Sequence, residues 1–123
     1  MPQPAFEHLD HLALESWLDG EVSPGDVSPG DASPGAAPTV IDIRDPLSFS
    51  RGHIPGSRHV DNATVGELID ETAHDTPLVV VCYHGHSSQQ AAAWLAGQGF
   101  ERVYSLDGGF TEWEHRHPHR VER

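Results

Sequence analysis

Four short runs of apolar and β-branched residues divide the chain, at 39–43, 57–60, 78–82 and 103–106, and each has the length and composition of a strand. The third differs from the others because Leu78-Val79-Val80-Val81-Cys82 has no polar residue at any position. An alternating strand keeps one face in water, whereas an uninterrupted apolar strand must be covered on both faces. Residues 78–82 are therefore predicted as the central strand. Between the runs lie helical patterns at 10–18, 46–51, 64–72, 87–97 and 110–115. Ser87 with Gln90 three positions later has the form of a capping box, and Gly97 or Gly99 supplies a stop. Strand and helix in repetition predict an α/β domain with a mostly parallel sheet, whose ligand site lies beyond the C-terminal ends of the strands. Cys82 stands at such an end.

One stretch fits no element. Over residues 20–38 the triplet Ser-Pro-Gly recurs every five residues, with no apolar face to bury and with Pro and Gly breaking both helix and strand. It is predicted as an irregular loop, and a collagen-like array is disfavoured by its three copies and its period. At 123 residues the chain has the size of one domain spanning 1–123. Its end, where His115, His117 and His119 alternate with Arg and Pro, is expected to fray from about residue 116 and to hold no metal.

Charge removes two partner classes. Nineteen acidic residues against seven basic ones leave a formal charge of −12, so nucleic acid and anionic membranes are repelled. All seven cations are Arg, which excludes Schiff-base and P-loop lysine chemistry. The longest apolar run is far too short to span a bilayer, and Met1-Pro2-Gln3-Pro4 has no basic, apolar signal character. A single Cys permits no internal disulfide and no all-thiolate metal site. A cytoplasmic protein is expected.

The candidate chemistry is concentrated in Cys82-Tyr83-His84-Gly85-His86-Ser87-Ser88. A tight loop between a buried strand and a helix start aims successive peptide N–H groups inward, with the positive end of the helix dipole beneath them. Such a cradle stabilises a thiolate or an anion without Lys. Gly85 admits a conformation that a Cβ resists, and the Ser87 and Ser88 hydroxyls add donors. On its own, a thiol closing an apolar strand reads as a structural core cysteine. The Gly, His and Ser residues and the helix start turn the reading toward a reactive thiol.

Three separated segments, in this order, resemble a known pattern. Val40-Ile41-Asp42-Ile43-Arg44-Asp45-Pro46 with Phe49 and Gly52-His53-Ile54-Pro55-Gly56-Ser57, then Cys82 to Ser88, then Asp107-Gly108-Gly109-Phe110 with Trp113, resemble the rhodanese-domain family, and within it the single-domain thiosulfate sulfurtransferases of the GlpE type. The resemblance covers about residues 39–115. It implies a rhodanese-like α/β fold, with a five-stranded sheet flanked by helices on both faces and its first strand near residues 6–9. The repeat at 20–38 departs from that pattern and is expected to loop out. The implied reaction is a double displacement, in which Cys82 takes the outer sulfur of thiosulfate as a persulfide and passes it to cyanide or a dithiol acceptor. A thioredoxin-like dithiol is the protein acceptor that the family suggests. No cofactor and no metal are needed. Tyr83, His84, Gly85, His86, Ser87 and Ser88 would bind the substrate anion.

Single residues allow more than one role. His84 and His86 can donate to the anion or simply face solvent, and His86 stands where the GlpE-type loop commonly carries Asn. Arg44, Asp42 and Asp45 read as a structural ion-pair group rather than an anion clamp, while Gly108-Gly109 is expected to let the backbone approach the Cys82 loop. Two other functions compete. A phosphatase or arsenate reductase would need Arg six positions after the Cys, where Ser88 stands. A persulfide carrier or regulatory binding module would use the same cradle without turnover.

Overall fold

The computed structural model describes residues 6–20 and 37–123. The chain runs β1 (Glu7–Leu9), α1 (His11–Leu18), β2 (Thr39–Asp42), α2 (Pro46–Arg51), β3 (Arg58–His59), α3 (Val65–Glu71), β4 (Leu78–Val81), α4 (Ser87–Gly97), β5 (Val103–Leu106) and α5 (Gly109–Arg116). The expected loop at 20–38 falls, apart from its end residues, outside the described residues. The five strands form one sheet in the order β1-β5-β4-β2-β3, and every pairing is parallel. β4 lies at the centre with all four residues fully buried, as its unbroken apolar character requires.

Alternation along the strands divides the core into two layers. Val79 and Val81 pack with Trp17 of α1 and with Phe110 and Trp113 of α5 on one face. On the other, Leu78 and Val80 pack with Leu68 of α3 and with Ala92 and Leu95 of α4. The anticipated coverage of both faces is thus present. A buried ion pair holds the β2 end: Arg44 donates to both Asp42 oxygens at 2.7–3.0 Å and to the Gly52 carbonyl at 2.7 Å. Asp45 does not join this pair as the sequence reading had it. Its carboxylate caps α2 by accepting from Ser48 N–H at 2.9 Å, because the residue before Pro46 is extended and lies just ahead of the first helical turn.

The segment after α5 also departs from expectation. Rather than fraying, it folds back along α1 and the turn that follows α2. His117 is buried, with Nδ1 3.1 Å from Glu15 Oε2 and Nε2 2.9 Å from His11 Nδ1. Arg120 pairs with Glu15 and Asp19, and the backbones of His53 and Glu122 exchange two hydrogen bonds of 2.9 Å. Pro118 and the terminal position suggested fraying; the ring contact of His117 with Trp113, 4.6 Å between centroids, and these polar anchors outweigh them.

Candidate active site around Cys82

Cys82 is the first residue past β4, and the sheet carries it to the rim where the α5 turn meets it. Phe110 N–H donates to the Cys82 carbonyl at 2.8 Å, and Thr111 N–H to the Tyr83 carbonyl at 3.1 Å. This closeness depends on Gly109, whose φ is +61° and where an added Cβ would sit 2.5 Å from the Cys82 carbonyl oxygen. The anticipated close approach is therefore real, and its cause is steric.

Beyond Cys82 the chain curls around the sulfur. Gly85 adopts φ +89°, and an added Cβ there would stand 2.8 Å from the Gly108 nitrogen. In this turn Gly85 N–H donates to Cys82 Sγ at 3.1 Å and Ser88 N–H donates to it at 3.3 Å. The neutral thiol reaches Ser88 Oγ at 3.3 Å, and in the thiolate the same contact runs the other way, with the hydroxyl donating. Gln89 Nε2 donates to the Gly85 carbonyl at 2.8 Å and so fixes the orientation of this loop.

The expected capping box is absent. His86 occupies the N-cap position without a side-chain cap bond, and Ser87 is the first helical residue. The reason lies in the site itself: an early N–H of α4, that of Ser88, is given to the Cys82 sulfur, so the nucleophile serves as the helix cap.

Cys82 is 4% exposed, whereas Ser88 and Ser105 are fully buried. Burial pushes the Cys82 thiol up. Hydrogen bonds from the Ser88 hydroxyl, Ser88 N–H, Gly85 N–H and His84 N–H together exceed that effect and hold it below its ordinary value. Every one of these donors is a peptide N–H or a hydroxyl.

The seven residues singled out from sequence separate into two groups. Cys82, Gly85 and Ser88 meet at the sulfur, joined by the His84 N–H. The side chains of Tyr83, His84, His86 and Ser87 are exposed, and none of them bonds the sulfur. Tyr83 turns to α2, where its hydroxyl donates to Asp45 and lies 2.9 Å from Ser48 Oγ. Sequence reasoning missed Ser105. Its hydroxyl, on β5, is 2.7 Å from Ser88 Oγ and orients the group beneath the sulfur. A lone Ser in a strand run carries no local signal of such a role; only the β4–β5 pairing, with Val80 opposite Ser105, brings it there. Among the described residues, no cluster of His, Cys, Asp or Glu is arranged to hold a metal ion.

Comparison with known proteins agrees with this geometry. The family model for the rhodanese-like domain matches residues 30–116. The thiosulfate sulfurtransferase GlpE of Stutzerimonas stutzeri is 58% identical over 87 residues, covering 71% of this chain and 80% of the relative. That of Pseudomonas aeruginosa is 61% identical over 79 residues, covering 64% and 72%. Among solved structures, a rhodanese-related protein from Thermoplasma volcanium superposes with a TM-score of 0.67 at 20% identity, covering 91% of this chain and 94% of that one. At that identity the structure speaks for the fold alone, while the family model's match spans the nucleophile loop, and with the identities of the relatives it establishes that the chain belongs to the rhodanese-like family.

Proposed function

We propose that the protein is a thiosulfate sulfurtransferase working through a persulfide on Cys82. The observation that carries this reading is the convergence of three N–H groups and one hydroxyl on a single sulfur, with no cationic side chain among the described residues bonded to it. The thiolate attacks the outer sulfur of thiosulfate, the S–S bond breaks, and sulfite leaves with the bonding pair. The Cys82 persulfide that remains is an anion at its terminal sulfur, stabilised by the same dipoles. A thiophile such as cyanide or a dithiol then attacks that terminal sulfur and restores the thiolate. A dianionic donor can be used despite the net charge of −12, because N–H dipoles at hydrogen-bond distance outweigh remote, salt-screened surface charge. The relatives' name, thiosulfate sulfurtransferase, supports the donor; the exposed edges of the loop at Tyr83, His84, His86 and Ser87 suit contacts to it.

A phosphatase reading is disfavoured by the position six residues after the nucleophile. Ser88 there is buried against the sulfur, and Arg44 is committed to Asp42 and Gly52, so neither offers a free guanidinium to a phosphoryl transition state. A carrier without turnover would use the same cradle. A cytoplasmic setting fits the reactive, unpaired thiol, and no helix among the described residues is long and apolar enough to cross a membrane.

The test is intact mass after incubation with thiosulfate, followed by cyanide. The sulfurtransferase reading expects one added sulfur, its removal by cyanide, repeated thiocyanate formation, and loss of all three in Cys82→Ser. Loading without turnover would assign a carrier, and no loading would refute the proposal.

A further inference from the structure

Beside the cradle lies a cavity of about 230 Å³ whose lining includes Arg51, Tyr83, Phe110, Thr111 and Glu114. It borders the start of the nucleophile loop, since Tyr83 lines it and its other lining residues Phe110 and Thr111 donate backbone N–H groups to the Cys82 and Tyr83 carbonyls. Tyr83, the residue after the nucleophile, forms a wall, and its hydroxyl is tied to Asp45 and Ser48. Arg44 also borders this space, but its guanidinium is neutralised by Asp42 and bonded to the Gly52 carbonyl.

The charges left over are Arg51 and Glu114. Both are exposed, and neither is ion-paired with the other or with any other described residue. Two opposite, uncompensated charges on one small cavity favour a ligand that carries both signs. A ligand with one charge meets a like charge as well as an opposite one. Thiosulfate, doubly negative, would face Glu114, so the cavity suits the molecule that receives the sulfur rather than the one that brings it.

We propose that this cavity is the acceptor subsite of the second half-reaction and that it selects a small zwitterionic thiol, bearing one ammonium and one carboxylate. The proposal rests on the sulfurtransferase reading above. The acceptor thiol ionises and its thiolate attacks the terminal sulfur of the Cys82 persulfide. The S–S bond then breaks, Cys82 Sγ takes the electron pair and leaves as thiolate, and the acceptor departs as a persulfide. No oxidant or reductant enters.

The experiment uses the full chain, loaded with thiosulfate and desalted, then mixed with L-cysteine, cysteamine, 3-mercaptopropionate or 2-mercaptoethanol. Sulfur loss from Cys82 is followed by intact mass, and rates are normalised to thiolate concentration. L-cysteine should discharge the persulfide about fivefold faster than the other three, the scale of two exposed ion pairs acting together. Arg51→Ala should lower its rate to that of cysteamine and Glu114→Gln to that of 3-mercaptopropionate. Both variants should still load from thiosulfate as the wild type does. Equal rates for the four thiols, a preference that survives both substitutions, or an Arg51→Ala variant slowed in thiosulfate loading instead would overturn the assignment while leaving the sulfurtransferase reading intact. Failure of the wild type to load at all would remove both.

Discussion

Replacing Ser88 by Ala isolates the one side chain among the described residues that bonds the nucleophile. The substitution deletes a hydroxyl 3.3 Å from Cys82 Sγ and leaves the N–H donors of Gly85 and Ser88 in place. A hydrogen bond to a charged group is worth about 1.5–3 kcal/mol, and one pKa unit corresponds to about 1.36 kcal/mol. The Cys82 thiol should therefore ionise about one to two units higher in Ser88→Ala. Below both inflections the thiolate population falls about tenfold per unit. A more basic sulfur is also more nucleophilic, with a Brønsted slope of about 0.4–0.5, so the net loss of reactivity at a pH below both inflections is about three- to tenfold. The chain has one Cys, so the pH profile of iodoacetamide alkylation reads this sulfur alone. The wild-type inflection should lie below the ordinary thiol value, and the variant inflection above that of the wild type. Coincident profiles would refute the account, because the Ser88 hydroxyl would then contribute nothing to the thiolate. Ser88→Ala also strands the buried Ser105 hydroxyl, 2.7 Å from Ser88 Oγ, at a stability cost of about 1–3 kcal/mol. Adding Ser105→Ala should recover part of that cost without restoring the ionisation.

Further outcomes follow from the same contacts. Gly85→Ala places a Cβ 2.8 Å from the Gly108 nitrogen and 3.1 Å from the Leu106 carbonyl oxygen at φ +89°. The conformation alone costs about 1–2 kcal/mol, so persulfide loading by intact mass should slow about tenfold or more as the loop shifts and the sulfur loses a donor. Asp42→Asn leaves Arg44 buried without its counter-charge, and urea unfolding should show a loss of about 3–5 kcal/mol. For His117, burial pushes the ring below the ordinary His value of 6.5, His11, Arg120 and His119 push the same way, and Glu15 opposes them. The unfolded chain then binds the proton more readily, so this stabilisation is complete above about 6.5 and is lost as pH falls from there toward the folded value. Unfolding midpoints measured above and below that value should converge in His117→Gln relative to the wild type; equal pH slopes in the two proteins would count against it.

Much of this protein is local in origin. The order of its strands and helices, the central place of residues 78–82 and the position of Cys82 at a strand end all follow from periodicity, which depends on neighbours a few residues apart. The uninterrupted Leu-Val-Val-Val run determined burial on two faces before any partner was known. What tertiary structure decided depends on residues far apart in sequence. Ser105 reaches the site from a neighbouring strand, with Ser88 Oγ as its partner. Gly109 matters because the α5 turn abuts the Cys82 and Tyr83 carbonyls. The capping-box pattern of Ser87 and Gln90 was overridden because a sulfur six residues before Ser88 occupied its N–H. The tail after Arg116 and the Arg51–Glu114 cavity depend on contacts across elements that no spacing rule encodes. Short-range sterics choose each element, but donors, charges and close backbone contacts from separate elements meet only once the sheet has brought them together.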